Sequence, residues 1–308
     1  MALRRAAVTG ATGFLGRHLV RALADAGWTP RVLARRDPVQ PMWDGLDVEV
    51  VRGDLDAPAA LRQLCEGADA VIHVAGLITA HSAAEFHAVN AEGSRHLAQA
   101  ADAAAPQAPV ILVSSIAARE PGLSAYAASK RAGEAAAREV VGDRLAVARP
   151  PAIYGPGDVA TLGLFKLMAW TPVAPVLDPK ARVALIHVAD AARQIAALAA
   201  AEEGGRTVTL SDARPAGYSW TEIMRTAAAA MGRAPRTVRV ADGLVRFAAG
   251  FAGAAMLSPD KAREILHLDW SVTPVEAWEA APPPVYDLET GFADTVNGYR
   301  AQGWLRPA

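Results

Sequence analysis

The stretch SIAAREPGLSAYAASK carries three side chains that could run a proton transfer: Ser115, Tyr126 and Lys130. On a helix, Tyr126 and Lys130 share one face, because positions i and i+4 stack along the same side. An ammonium beside a phenol favours the phenolate and lowers the tyrosine pKa from its usual value of about 10. A tyrosine tuned that way exchanges protons with a substrate hydroxyl or carbonyl. Ser115, eleven residues before Tyr126, could hold the same oxygen from the end of a strand. Lysine occurs only at positions 130, 166, 180 and 261, and arginine supplies the rest of the positive charge. A Tyr-x-x-x-Lys pair alone is common on helix surfaces and in cores, so its meaning depends on the elements that place it.

Those elements alternate through the first half of the chain. A short apolar strand ending at Val8 runs into TGATGFLG, and HLVRALADAG reads as a helix closed by Gly27. RVLAR and VEVVRGD read as strands, AALRQLCEGA as a helix and AVIHVAG as a fourth strand. A long helix follows from about Phe86 to Ala104, then the strand VILVSS, the Tyr126 helix and the strand RLAVARP. This rhythm predicts an α/β fold with a parallel sheet covered by helices on both faces. Past Pro151 it breaks, with IYGPGD and prolines 172, 175 and 179 as turn signals. Residues 1–158 read as one domain, with a strand and helix at 182–204 returning to it, and 159–308 mainly as a smaller domain.

Gly10, Gly13 and Gly16 follow directly on the first strand, with Thr12, Phe14 and Leu15 between them. Glycines there permit a tight turn and let backbone N–H groups approach a pyrophosphate at a helix start. An NAD-selective site would place an acid near Ala34 or Arg35, to accept from the ribose 2′-hydroxyl. The chain gives ARRD instead: Arg35 and Arg36 suit a 2′-phosphate, while Asp37, followed by Pro38, is expected to turn away. NADP(H) is therefore favoured, with NAD(H) as the alternative. Asp54, after the third strand, could accept from an adenine amino group while Leu55 packs on the ring, with an N-cap or loop role as the alternative. Ala75 and Gly76 are small enough for close approach of a dinucleotide, and His73 reads as core.

Composition narrows the rest. A net charge of -1 gives no case for nucleic-acid binding. Apolar residues make up 52% of 308, enough for a sizeable core. The single cysteine, Cys65, excludes an internal disulfide, suits a reducing cytoplasm and reads as a small buried residue. The N-terminus lacks the pattern of a signal peptide. LVRFAAGFAGAAML at 244–257 is too short to span a bilayer and reads as a buried or pocket-lining helix, with membrane-surface contact a minor reading. No integral membrane association is expected. Small residues on the Tyr126 helix would allow a homodimer, though they pack equally well within one chain.

Taken in order, VTGATGFLG, GDL, HVAG, SS, YAASK, ARPPAIYGPGD and HVADAA resemble the extended short-chain dehydrogenase/reductase family, which includes epimerase/dehydratase-like enzymes. The resemblance covers nearly the whole chain. It implies a Rossmann-type doubly wound sheet with a smaller, mostly C-terminal substrate-binding domain. It also implies that Tyr126 is the proton donor or acceptor and that Lys130 partners it and contacts the nicotinamide ribose. Ser115, more than Ser114, would position the substrate oxygen, and Asn90 would hold water or backbone near Lys130. Pro150, Pro151 and Ile153 would form the loop that orients the carboxamide. His187 and Asp190 match a motif taken as structural, and no metal is expected. The Ser115–Tyr126 interval is short for the family, leaving substrate contacts to the later domain.

The implied function is an NADP(H)-preferring oxidoreductase that interconverts a hydroxyl and a carbonyl on a partly apolar small molecule. A nucleotide-sugar epimerase or dehydratase that retains its cofactor is the runner-up, and a non-catalytic dinucleotide-binding sensor or assembly subunit a third reading. Phe165, Met168, Trp170, Trp220, Phe247 and Met256 could line a pocket, each being individually closer to a core residue in type.

Overall fold

The structure is a computed structural model that describes residues 4–201, 203–251 and 258–306. Met256 and the end of the 244–257 stretch lie outside the described residues. Seven strands form one parallel sheet: β1 (Arg4–Thr9), β2 (Trp28–Ala34), β3 (Glu49–Arg52), β4 (Ala70–His73), β5 (Val110–Val113), β6 (Leu145–Arg149) and β7 (Thr207–Thr209). Their order is β7-β6-β5-β4-β1-β2-β3. This is the Rossmann-type doubly wound sheet.

Val110–Val113 and Leu145–Arg149 are buried along their whole length, as expected of strands covered on both faces. Successive side chains point to opposite faces of a strand. Ala7, Leu33, Val71, Leu112 and Val147 join one apolar cluster with Leu61, Leu64, Leu97 and Ala137 from helices on that face. Their neighbours Val8, Val32, Ile72 and Ile111 face the other way and are buried as well. Each such aliphatic side chain contributes roughly 1.5–3 kcal/mol of transfer free energy.

The helices are α1 (Phe14–Asp25), α2 (Pro58–Cys65), α3 (Gly93–Ala104) and α4 (Ala125–Val141). The long helix expected from Phe86 begins earlier and is not uniform. A turn of α-helix, Ala83–His87, passes through a π segment, Ala88–Glu92, before α3. In α4, Ser124 caps the first turn by accepting from the Ala127 N–H at 2.9 Å. Gly133 lets α4 approach the π segment, since a Cβ there would lie 2.3 Å from the Asn90 carbonyl oxygen. Of the small residues on this helix, Ala127, Gly133, Ala136 and Ala137 are buried within the chain, while Ala128 and Ala135 are exposed.

The chain divides into two compact units. The first holds residues 1–150, 191–210 and 278–282; the second holds 151–190, 211–277 and 283–308. The strand of the 182–204 return, Leu185–His187, pairs with Ala152–Tyr154 in the second unit. The edge strand of the large sheet, β7, comes instead from further along the chain and lies beside β6. Three residues, Thr-Val-Thr, are too few to announce a strand by alternation. In the second unit Phe165, Tyr154, Phe292 and Tyr299 form an aromatic centre with mostly edge-to-face contacts. Of the residues weighed as pocket-lining, Phe165 and Met168 are core, and Trp220 is half-buried. Trp170 and Phe247 are exposed, and so is Leu244, which corrects the expectation of a buried helix there. Among the described residues no helix is long and apolar enough to cross a membrane.

Candidate active site

The chain leaves β1 toward β2 and β4 toward β5, so the loops after these adjacent strands diverge and open a crevice. Gly10 turns the first loop with φ 70, and a Cβ there would stand 2.4 Å from the Ala75 backbone nitrogen. A Cβ at Gly16 would stand 2.1 Å from the Gly10 carbonyl oxygen. The turn, the start of α1 and the loop after β4 therefore close into a cradle that only glycine permits. Gly13 occupies the N-cap of α1 with no side-chain cap, which leaves the helix's first N–H groups for an anion. Thr12 and Gly13 are exposed, Phe14 is half-buried, and Leu15 and Gly16 anchor the helix inward.

At the end of β2 the buried Ala34 gives way to exposed Arg35 and Arg36, which border an open pocket with Thr12, Asp37 and Pro38. Asp37 is engaged by Arg52: Nε donates to Oδ1 at 2.9 Å, and Nη2 reaches Oδ2. Those hydrogen bonds hold the Asp37 carboxyl below the usual carboxylate range. Asp54 is exposed and accepts the Asp56 N–H at 3.1 Å, a local turn that occupies one of its oxygens. Leu55 packs toward the sheet core against Gly93, where a Cβ would come within 2.7 Å of its Cδ1.

Asn90 sits buried in the π segment and ties three pieces together. Its Oδ1 accepts the Leu77 N–H at 2.8 Å, and its Nδ2 donates to the Leu77 carbonyl at 3.0 Å and to Ser129 Oγ at 2.9 Å. Asn90 thereby fixes the loop after β4 against α4. Gly76, in that loop, stands before Lys130 and Asn90: a Cβ there would lie 3.5 Å from Nζ and 3.0 Å from Oδ1. Lys130 is buried on α4, and Nζ donates to the Val113 carbonyl at 2.8 Å. That bond uses one of its three donors. Burial pushes its pKa down to about 8, opposed by the Glu134 carboxylate one turn along.

Tyr126 lies one turn before Lys130 on the same helix, half-buried, with its ring 5.9 Å from that of Phe86. Ser114 and Ser115 differ in what holds them. Ser114 is buried and donates to Glu134 Oε1 at 2.6 Å. Ser115 is half-buried, and its Oγ accepts the Ala117 N–H at 3.1 Å, capping a short 3₁₀ turn. Pro150 is buried, and its carbonyl accepts from Ile116 N–H at 2.9 Å. Ile153 belongs to the second unit, where it faces Ile186 in the strand pair. There too, His187 stacks on Tyr286 at 3.8 Å, and Asp190 accepts the Tyr286 N–H at 2.9 Å. No group of three or more His, Cys, Asp and Glu able to hold a metal is present among the described residues.

Two features escaped the sequence reading. Arg149, at the end of β6, grips Glu134 in a buried two-point ion pair: Nε to Oε1 at 2.9 Å and Nη2 to Oε2 at 2.6 Å. The signal available was an arginine closing an apolar strand and a glutamate four residues beyond Lys130. Thr9 Oγ1 and His73 Nδ1 meet at 2.6 Å across β1 and β4. Burial pushes the His73 pKa down to about 3, with the charge of Lys130 adding to it, so His73 is neutral.

Residues 6–210 match the NAD dependent epimerase/dehydratase family. The chain belongs to that family. It is an NAD(P)-dependent enzyme of the oxidoreductase and epimerase/dehydratase type, acting on a small molecule. Along 307 residues the chain is 54% identical to a ceramide reductase of Caulobacter vibrioides, covering 97% of this chain and 95% of that one. Two solved structures share the fold at lower identity. One is gox2253, with TM-score 0.78 and 20% identity over 99% of this chain and 100% of that one. The other is the Streptomyces venezuelae dTDP-glucose 4,6-dehydratase DesIV with NAD bound, at TM-score 0.70 and 22% identity over 98% and 99%.

Proposed function

We propose that this enzyme reduces a ketone on a long-chain, ceramide-like lipid to a hydroxyl, with NADP(H) as the preferred cofactor. The observation that carries the reading is the 54% identity, across nearly the full length of both chains, to a ceramide reductase. Within that lipid class the amide carbonyl is stabilised by resonance, so a ketone is the position that accepts reduction.

The glycine cradle, the uncapped start of α1 and the small Gly76 fit a dinucleotide: a Cβ at Gly10 or Gly16 would fill the space. Thr12, Gly13, Phe14 and Leu15 would hold the pyrophosphate end, and Asp54 and Leu55 the adenine side. Ala75, Gly76 and Lys130, with Pro150 and Ile153, would hold the nicotinamide side. Arg35 and Arg36 would take the 2′-phosphate. Support for the phosphate comes from their exposure beside Thr12, and from Asp37 being committed to Arg52. When bound, the reduced nicotinamide supplies the hydrogen and electron pair that the carbonyl carbon accepts.

The chain's own residues supply the proton and the geometry. Tyr126 donates its phenolic proton to the developing alkoxide. Lys130, with two N–H groups beyond its bond to Val113, keeps that phenol acidic through its positive charge. Ser115 donates its hydroxyl hydrogen to the same substrate oxygen while its Oγ stays anchored by Ala117 N–H. Asn90 keeps the Leu77 loop in place against α4.

The test is turnover of a ceramide oxidised to the ketone at a backbone hydroxyl, followed as NADPH consumption and as a gain of two hydrogens by mass spectrometry. Tyr126→Phe should cost about 10²–10⁴ in rate while leaving dinucleotide affinity within a few-fold. Near-normal turnover in that variant would sink the proton-transfer role. A second reading, nucleotide-sugar epimerisation or dehydration, is favoured by the family description and by the end-to-end likeness to DesIV. It requires the cofactor to be regenerated within each cycle, so stoichiometric loss of NADPH separates the two.

A further inference from the structure

The second unit exposes apolar side chains where a helix usually carries polar ones. On the helix Asp242–Phe251, Leu244 is 60% and Phe247 63% exposed. Together with exposed Ala248 they occupy i, i+3 and i+4, one outward stripe, whereas Ala249 is turned inward and buried. Two residues before this helix ends the strand Arg236–Arg239, which pairs with Val173–Val176 and exposes Val238. Val173–Val176 in turn follows the helix Leu162–Trp170, whose last residue, Trp170, is 71% exposed. Arg233 donates to the Ala169 carbonyl at 2.7 Å, which ties this end of the helix to the start of the arginine-bearing segment. The exposed apolar residues therefore belong to connected elements of one unit.

Positive charge predominates around them, although Arg239 is paired with Asp178 at 3.3 Å, and Asp260 and Glu264 on the helix Pro259–Leu266 that packs beside Asp242–Phe251 are paired with Arg263 and Lys261. Residues 231–249 carry four arginines (233, 236, 239 and 246) against one acid, Asp242, in a chain whose net charge is -1. The guanidinium of Arg306 lies 5.3 Å from the Trp170 ring centroid. Arginines in the same segments as exposed tryptophan, phenylalanine and leucine are the chemistry of an interfacial anchor. The apolar stripe enters the acyl boundary while guanidinium groups meet anionic headgroups.

We propose that this face of the second unit, centred on Leu244 and Phe247, docks on the surface of an anionic lipid membrane. The segment lies on the surface without crossing it, and docking would give the enzyme access to a substrate that resides in the bilayer. The lipid substrate makes such docking useful, but the surface argument stands on exposure and charge.

The experiment is sedimentation of the intact protein with vesicles of phosphatidylcholine, with and without about a third phosphatidylglycerol, at low and high salt. Wild type should sediment with the anionic vesicles, less so at high salt. Leu244→Glu/Phe247→Glu should cut the bound fraction at least about tenfold. Arg236→Gln/Arg246→Gln, which leaves the apolar stripe intact, should weaken anionic binding several-fold and reduce the salt dependence. Melting temperature and NADPH oxidation with a short, water-soluble ketone check that each variant is folded. If the glutamate variant fails to fold, the arginine variant carries the test. Two results would overturn the proposal. One is wild-type protein that stays in the supernatant with both compositions. The other is a vesicle-free dimer, seen by light scattering, that the glutamate variant dissociates, because the stripe would then be covered by a second copy. Neither result bears on ketone reduction, which is read separately by turnover.

Discussion

Replacing Glu134 by leucine strands two groups at once. Arg149, 3% exposed, loses two charged hydrogen bonds to this carboxylate, and Ser114 loses the acceptor 2.6 Å from its hydroxyl. Breaking a buried ion pair from one side costs about 3–5 kcal/mol, because the remaining buried charge loses its countercharge. An orphaned buried hydroxyl adds roughly 1–3 kcal/mol. Whole domains are stable by only about 5–15 kcal/mol, so Glu134→Leu should be near the edge of folding. Arg149→Met should cost about 3–5 kcal/mol for the converse reason. The double variant Glu134→Leu/Arg149→Met replaces the pair by apolar atoms and should recover most of that loss.

Urea unfolding followed by tryptophan fluorescence reads all three and closes a double-mutant cycle with a coupling of about 3 kcal/mol. The double variant also removes the carboxylate that supports the Lys130 charge. Lys130 should then fall below its pKa of about 8, and the alkaline limb of activity should move to lower pH. Additive single costs, or singles each below about 1 kcal/mol, would refute the claim that Glu134 and Arg149 are energetically coupled.

Three further outcomes follow from the same geometry. His73 is held neutral by burial, with its pKa moved from 6.5 to about 3, so between those values the unfolded chain binds the extra proton. Stability should therefore fall as pH drops through that window, and His73→Phe, read by urea unfolding at several pH values, should flatten this dependence. Gly10→Ala places a Cβ 2.4 Å from the Ala75 nitrogen at φ 70 and should lower the melting temperature and weaken dinucleotide binding at least about tenfold by calorimetry. Arg35→Ser/Arg36→Ser should raise the NADP+ dissociation constant about ten- to a hundredfold with little change for NAD+. Wild-type protein that binds NAD+ tenfold more tightly than NADP+ would defeat the arginine argument.

Much of the fold is local, and local patterns were readable. Strand–glycine–helix alternation placed β1, the loop at Gly10 and α1, and the i, i+4 relation put Tyr126 and Lys130 on one face of α4. Asp37 lines the same pocket as Thr12, Arg35 and Arg36, and its carboxylate is bound by Arg52, fifteen residues further on. What escaped depends on longer-range partners. Glu134 looks like a surface residue of an alanine-rich helix until β6 brings Arg149 beneath it. His73 gains its meaning from Thr9, sixty-four residues earlier in the chain. The π segment at Ala88–Glu92 has no periodic signature distinct from α-helix, yet it is where Asn90 turns toward Leu77 and Ser129. Leu244 and Phe247 misled in the opposite direction, since apolar spacing alone does not say which side of a helix meets solvent.

The late arrival of β7 has a consequence for how the protein is made. During synthesis β1 to β6 leave the ribosome within the first 149 residues, but Thr207–Thr209, which pairs with Val147–Arg149, emerges only after a long stretch of the second unit. Until then β6, apolar from Leu145 to Ala148, presents an unpaired edge, the kind of surface on which nascent chains associate wrongly. The first unit is finished later still, by residues 278–282, where Trp278 Nε1 donates to Glu203 at 2.9 Å. Neither unit can therefore be released as a continuous fragment, and a chain interrupted anywhere before residue 278 leaves the first one incomplete.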